Sequence, residues 1–135
     1  MGLFEAFSAK TERFLTVEAH QSNLLNQEDW DRAVLEQLIE RGATPESKLR
    51  LNFYFCTDSN RKAKALSTDL ARLGYEVKCE ASALNPTQTV VYGKTTPLPM
   101  KKAALTGWSS RMCELGFTHD CFFDGWTAWP QRKAA

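Results

Sequence analysis

Apolar and polar residues alternate along the segment from Leu49 to Cys56, where Leu49, Leu51, Phe53 and Phe55 interleave with Arg50, Asn52, Tyr54 and Cys56. A period of two sends successive side chains to opposite faces, so this segment predicts a strand with one buried face. The period then changes. Ala63, Leu66, Leu70 and Leu73 recur at three- and four-residue steps, which predicts a helix opened by Asp58 or Ser59 and stopped by Gly74. Tyr75, Val77, Cys79 and Ala81 next alternate with Glu76, Lys78 and Glu80, giving a second strand whose charged face suits a sheet edge.

The same stripe, stop and strand entry return later in the chain. Leu66, Leu70, Leu73, Gly74, Tyr75 and Cys79 are echoed by Trp108, Met112, Leu115, Gly116, Phe117 and Cys121. A short third strand is predicted over Gln88 to Tyr92, ending at Gly93, and Thr96 with Pro97 reads as cap and first-turn proline of a second helix carrying Leu105, Trp108, Met112 and Leu115. The last strand is read over His119 to Trp129, with a bulge expected at Gly125. Two strand-helix-strand halves in succession predict an α+β fold: a ferredoxin-like βαββαβ antiparallel sheet, both helices on one face, the first and third strands central.

Upstream, Val34, Leu35, Leu38 and Ile39 form a helical stripe behind Glu28, Asp29 and Asp31, acidic residues that suit a helix N-terminus, so an additional helix is expected from Asn26 to Gly42. The ATPESK segment then turns the chain into the first strand. Leu3, Phe7 and Phe14 can share one helical face in the preceding segment. That face is read as a helix packed on the domain, with an amphipathic membrane- or partner-binding helix as the sharper alternative. The chain is therefore divided into an N-terminal extension, 1–25, and a ferredoxin-like core, 26–130, within one domain spanning 1–135.

Composition narrows the partners. With 43% apolar residues in 135, the chain is long enough for one real core. Seventeen basic and sixteen acidic residues leave a net charge of +1, which gives no general attraction to nucleic acid or anionic membrane. No apolar run is long enough to span a bilayer, and no export signal or myristoylation pattern is read at the N-terminus, where Ala6 occupies the position that pattern needs for Ser or Thr. Four cysteines without a CxxC pair fit reduced thiols in a cytoplasmic protein.

Candidate chemistry is sparse. His119 and Cys121 start a possible metal site, but His20 is the sole other histidine and no second cysteine lies at ligand spacing, so no metal or other cofactor is expected. Walker, GxGxxG, HExxH and nucleophile-elbow motifs are absent, which argues against an enzyme. Tyr54 and Tyr92 could present stacking faces to single-stranded RNA. The third strand, TQTVVYGKT, lacks the signature of RNA-recognition modules, and charge balance leaves no phosphate-tracking groove, so protein contact ranks ahead of RNA.

Three segments converge on one family. DRAVLEQLIERGATPES (Asp31 to Ser47), LGYEV (Leu73 to Val77) and FDGW (Phe123 to Trp126) resemble, in order and spacing, motifs of the bacterial regulators of ribonuclease activity B. The resemblance implies a non-catalytic, cytoplasmic protein-binding module that inhibits endoribonuclease E and modulates RNA decay. The near-neutral charge and QRKAA end depart from the acidic character of the enterobacterial members. An immunity or antitoxin-type protein blocking a toxin on the same scaffold is the alternative. The FDGW run on an edge strand is the expected contact site, because unpaired backbone and large side chains meet there. Trp126 and Trp129 point to opposite faces of a regular strand, one into the core and one outward, and the outward one joins Asp124 and Tyr54 in the candidate patch.

Overall fold

A computed structural model describes residues 13–128. The fold is α+β, with three helices and antiparallel sheets among the described residues: α1 (Val17–Glu40), β1 (Lys48–Leu49), β2 (Asn52–Thr57), α2 (Asn60–Arg72), β3 (Glu76–Ala81), β4 (Thr89–Lys94), β5 (Leu98–Pro99), α3 (Lys102–Thr118) and β6 (Phe122–Thr127). Four strands form one sheet in the order β3-β4-β2-β6, every neighbouring pair antiparallel, and β1 pairs with β5 in a separate two-stranded ladder. Leu51, Phe53 and Phe55 have no exposed surface, as the strict alternation requires. Exposed Glu76, Lys78 and Glu80 lie on β3, which is an edge.

One core joins the inner face of the sheet to α2 and α3. Leu66 and Leu70 from α2 and Leu105, Trp108 and Met112 from α3 pack with Phe53, Phe55, Phe123 and Trp126. The Trp108 ring meets Phe123 and Trp126 edge-on at centroid distances of 5.9 and 6.1 Å, an arrangement favoured by the ring quadrupoles. Its indole N–H donates to the Tyr75 hydroxyl (3.2 Å), so a buried polar handle is satisfied across the two halves. Ser59, rather than Asp58, caps α2, its hydroxyl accepting from the amides of Arg61 and Lys62. Gly74, at φ +88°, ends that helical segment as expected.

Besides the split of the first strand into β1 and β2 and the run of β4 through Gly93 to Lys94, four features differ from the sequence reading, each for a physical reason. The helix expected from Asn26 begins instead at Val17, because the Thr16 hydroxyl accepts from the Ala19 amide (3.0 Å) and supplies the cap that was not recognised. A single helix thus crosses the division drawn after residue 25. Thr96-Pro97 does not open α3: Leu98 and Pro99 pair with Leu49 and Lys48, the Met100 amide donates to the Ser47 carbonyl, and the helix starts at Lys102. Nor does Gly116 stop α3. It lies buried inside the helix, where a Cβ would come within 2.6 Å of the Cys121 carbonyl and 2.9 Å of the Phe55 ring, so glycine is needed for the chain to return this closely.

The fourth difference is at His119–Cys121, which is not strand. His119 closes α3, and Asp120 takes a left-handed conformation, φ +60°. Asp120 is held there by its own contacts: its carboxylate accepts from the Phe14 amide (2.7 Å), the Leu15 amide (2.8 Å) and the Lys62 ammonium (2.6 Å), while its carbonyl accepts from the Thr57 hydroxyl (3.0 Å). One carboxylate therefore ties the segment preceding α1 to α2 and to the end of α3. Leu3, Phe7 and Trp129, given roles in the sequence reading, lie outside the described residues.

Candidate protein-contact site

The site begins at a bulge. Tyr54 pairs with Gly125 and the next residue, Phe55, with Phe123, so Asp124 is the additional residue on β6. Gly125 has φ +104°, a conformation that L side chains rarely adopt. Phe123 and Trp126, three positions apart, would face opposite ways along a regular strand, but the inserted residue sends both into the core. Asp124 remains exposed on the outer face of the sheet beside Tyr54, which is 37% exposed.

Trp126 is 1% exposed, which corrects its candidacy for an outward patch. Its indole N–H donates to Asp31 Oδ1 at 2.7 Å, the Trp108 ring meets its ring edge-on, and its backbone pairs with Phe53 in the β2–β6 register. Of the four residues proposed from sequence, Tyr54 and Asp124 are exposed together, Trp126 is core, and Trp129 is not described.

The backbone of β6 is also less available than an edge strand suggests. α1 lies along it and supplies donors: Asn23 Nδ2 to the Phe123 carbonyl (3.0 Å), Gln27 Nε2 to the same carbonyl (3.3 Å) and Trp30 Nε1 to the Trp126 carbonyl (2.8 Å). Gln27 Nε2 also reaches Asn23 Oδ1 (3.1 Å), and the Gln27 amide stands over Gly125, where it would be 3.6 Å from an added Cβ. These contacts satisfy edge carbonyls that strand addition would need, and they correct the expectation of free backbone at FDGW.

Sequence reasoning missed the α1 residues. His20, Asn23, Gln27 and Asp31 are buried at helical spacing, continuing into Val34, Leu35 and Leu38. The signal was present as a polar stripe in register with an apolar one. Behind Asp31 a groove of about 250 Å³ opens between α1 and α3, lined by Leu24, Glu28, Asp31, Thr106, Ser109 and Glu114 among others. Asp31 is 3% exposed, and burial pushes its carboxyl up to about 6, against the opposing effects of the Trp126 indole and the nearby Ser109 hydroxyl.

The residues considered for metal or nucleophilic chemistry diverge. His119 Nε2 lies 2.6 Å from Asp69 Oδ2, Asp120 is engaged as described, and the Cys121 thiol faces the Lys62 carbonyl (3.8 Å). His20 stacks on Phe117, centroids 4.3 Å apart. No group of three His, Cys, Asp or Glu side chains among the described residues is placed to hold a metal ion. Burial pushes the Cys56 thiol up to about 11 and those of Cys113 and Cys121 to about 12, so these three stand protonated at neutral pH and are poor nucleophiles.

The outer face carries Tyr54, Tyr92, Asn52, Lys78, Lys94 and Glu76 around a shallow depression of about 310 Å³. Its charges are mixed, and the Glu80 carboxylate raises the Tyr92 hydroxyl above its ordinary value. Such a face lacks the one-sign field that tracks a phosphate backbone. No described helix is long and apolar enough to cross a membrane.

A search of curated proteins finds no match to the chain. A model of the family described as regulator of ribonuclease activity B matches residues 28–127, a range containing the lower part of α1, the whole four-stranded sheet and the bulged FDGW run, and the chain belongs to that family.

Proposed function

We propose that this chain is a non-catalytic, cytoplasmic regulator that binds an endoribonuclease of the E type and restrains RNA decay, built as one domain on a ferredoxin-like βαββαβ scaffold. The family match over residues 28–127 carries the reading. The strand order β3-β4-β2-β6, with the central pair first and third among the sheet strands, supports the scaffold. Tyr54 and Asp124, exposed side by side at the bulge, are the contacts retained from the FDGW region. Tyrosine is among the residue types enriched at binding hot spots, and the Asp124 carboxylate supplies a polar group beside it.

Purified chain and purified endoribonuclease E are the test. Calorimetry is expected to show saturable binding, and cleavage of a single-stranded RNA reporter should slow as the chain is added. A double substitution, Tyr54→Ala with Asp124→Ala, should weaken binding at least tenfold without lowering the melting temperature. Absence of binding to the enzyme, or slowing that disappears when RNA rather than enzyme is in excess, would overturn the reading, the second result pointing to RNA sequestration. Capture of a toxin in place of the ribonuclease would favour the immunity-type alternative.

A further inference from the structure

The groove between α1 and α3 holds two buried oxygen-bearing side chains with unmet hydrogen-bonding capacity. Asp31 Oδ1 accepts from Trp126, but neither Oδ2 nor the Ser109 hydroxyl completes a hydrogen bond within bonding distance, although Ser109 lies close enough to Asp31 to act on its carboxyl. Asp31 is 3% exposed and Ser109 1%. Leaving a carboxylate oxygen and a hydroxyl unmatched in a site this dry is costly, and native structures rarely keep such groups without a use for them.

The surroundings define what would satisfy them. Glu28 and Glu114 stand at the groove with Asp31, while Leu24 and Leu25 supply an apolar wall, Leu25 being 66% exposed. No basic residue lines this groove. Close by, the His20 ring lies 3.5 Å from Glu114, and Arg32, on a smaller adjoining pocket with Lys102, is held 3.0 Å from Asp29. A side chain entering here should therefore be cationic at its tip, apolar along its stem and able to donate to more than one oxygen.

We propose that the α1–α3 groove receives an arginine side chain carried by the protein partner, its guanidinium bonding Asp31 and Ser109 and its stem lying on Leu24 and Leu25. Arginine fits better than a single-point donor because its planar fork presents several N–H groups in fixed geometry and sheds water more readily than an ammonium. The site is additional to the Tyr54–Asp124 pair. It rests on the reading that the chain binds a protein, although not on which ribonuclease it binds.

A blocked Gly-Arg-Gly peptide, titrated into the full chain and followed by NMR, tests the groove apart from any enzyme. The Trp126 indole N–H, bonded to Asp31, is the reporter. Its resonance should shift saturably with the arginine peptide and at least tenfold less steeply with the neutral citrulline analogue. Asp31→Asn keeps an oxygen for Trp126 and so preserves the reporter, yet should weaken arginine binding at least tenfold. An indole signal that never moves, equal response to citrulline, or undiminished binding by D31N would each overturn the proposal. If the peptide binds and endoribonuclease E does not, the groove stands and the ribonuclease reading fails. If the enzyme binds wild type and D31N alike while the peptide is inert, the reverse holds.

Discussion

Asp31→Asn should stabilise the protein at alkaline pH and cease to do so in acid. The carboxyl is raised from 3.8 to about 6 by burial, so the folded chain holds this proton more tightly than the unfolded chain. Stability linked to Asp31 is thus fully present below the unfolded value and is lost as pH rises through about 6, the opposite of a paired surface carboxylate. A displacement of roughly two pH units corresponds to ~3 kcal/mol of ionisation cost at pH 8. Asparagine retains the oxygen that accepts from Trp126 and places an amide where Oδ2 stands, near the Ser109 hydroxyl. The net gain for Asn should be ~1–3 kcal/mol at pH 8, smaller than the full cost because burying an amide has its own penalty. Urea unfolding of both proteins, followed by tryptophan fluorescence at pH 8 and pH 4.5, isolates the effect, since other titrations cancel in the difference. A stability difference that is the same at both pH values, or one favouring Asp31 at pH 8, would refute the assignment of an uncompensated buried carboxylate.

Two further outcomes follow from the core and from the Asp120 clasp. Leu70→Ala and Met112→Ala each empty a fully packed position between helix and sheet and should lower stability by ~2–5 kcal/mol in urea titrations, and an unchanged midpoint would show that the helix faces are misassigned. Asp120→Asn should cost ~1–3 kcal/mol at neutral pH. Burial raises the Asp120 carboxyl, but Lys62 and the amides of Phe14 and Leu15 outweigh it and hold the group below its ordinary value, so the deficit should shrink as pH falls below 3.8 and would remain constant if the clasp contributed nothing.

The inner face of the sheet was legible because one periodicity governed it: Leu51, Phe53 and Phe55 needed only to alternate. The equivalence of Gly74 and Gly116 was misleading, since the residue type is shared and the cause is not. Gly74 supplies a positive φ at a helix end, whereas Gly116 supplies an absent Cβ beneath Cys121 and Phe55. The bulge at Gly125 was readable from a glycine inside a strand, but not its consequence, that Phe123 and Trp126 would share the core. Least legible was the polar stripe of α1. Asn23, Gln27 and Asp31 have the composition of a solvated face, and they are buried because β6 presents carbonyls and an indole to them, a requirement set by residues about a hundred positions away in the chain.

The two edges of the sheet are protected by different means, and the difference bears on recognition. β3 leaves its edge open but carries exposed Glu76, Lys78 and Glu80, charges that disfavour pairing with another strand, with Arg50 binding Glu76 at 2.7 Å. β6 is covered by α1. Strand addition is therefore opposed at both edges of the four-stranded sheet, which favours recognition through side chains there. α1 takes part in both consequences: one face guards β6 through Asn23, Gln27 and Trp30, while Asp31 lines the groove shared with α3. Trp126 joins the two, giving its indole proton to Asp31 and receiving at its carbonyl the indole proton of Trp30. A cation drawn to Asp31 would meet a residue that also bonds Trp126 on β6, beside the Asn23, Gln27 and Trp30 contacts that hold α1 along that edge.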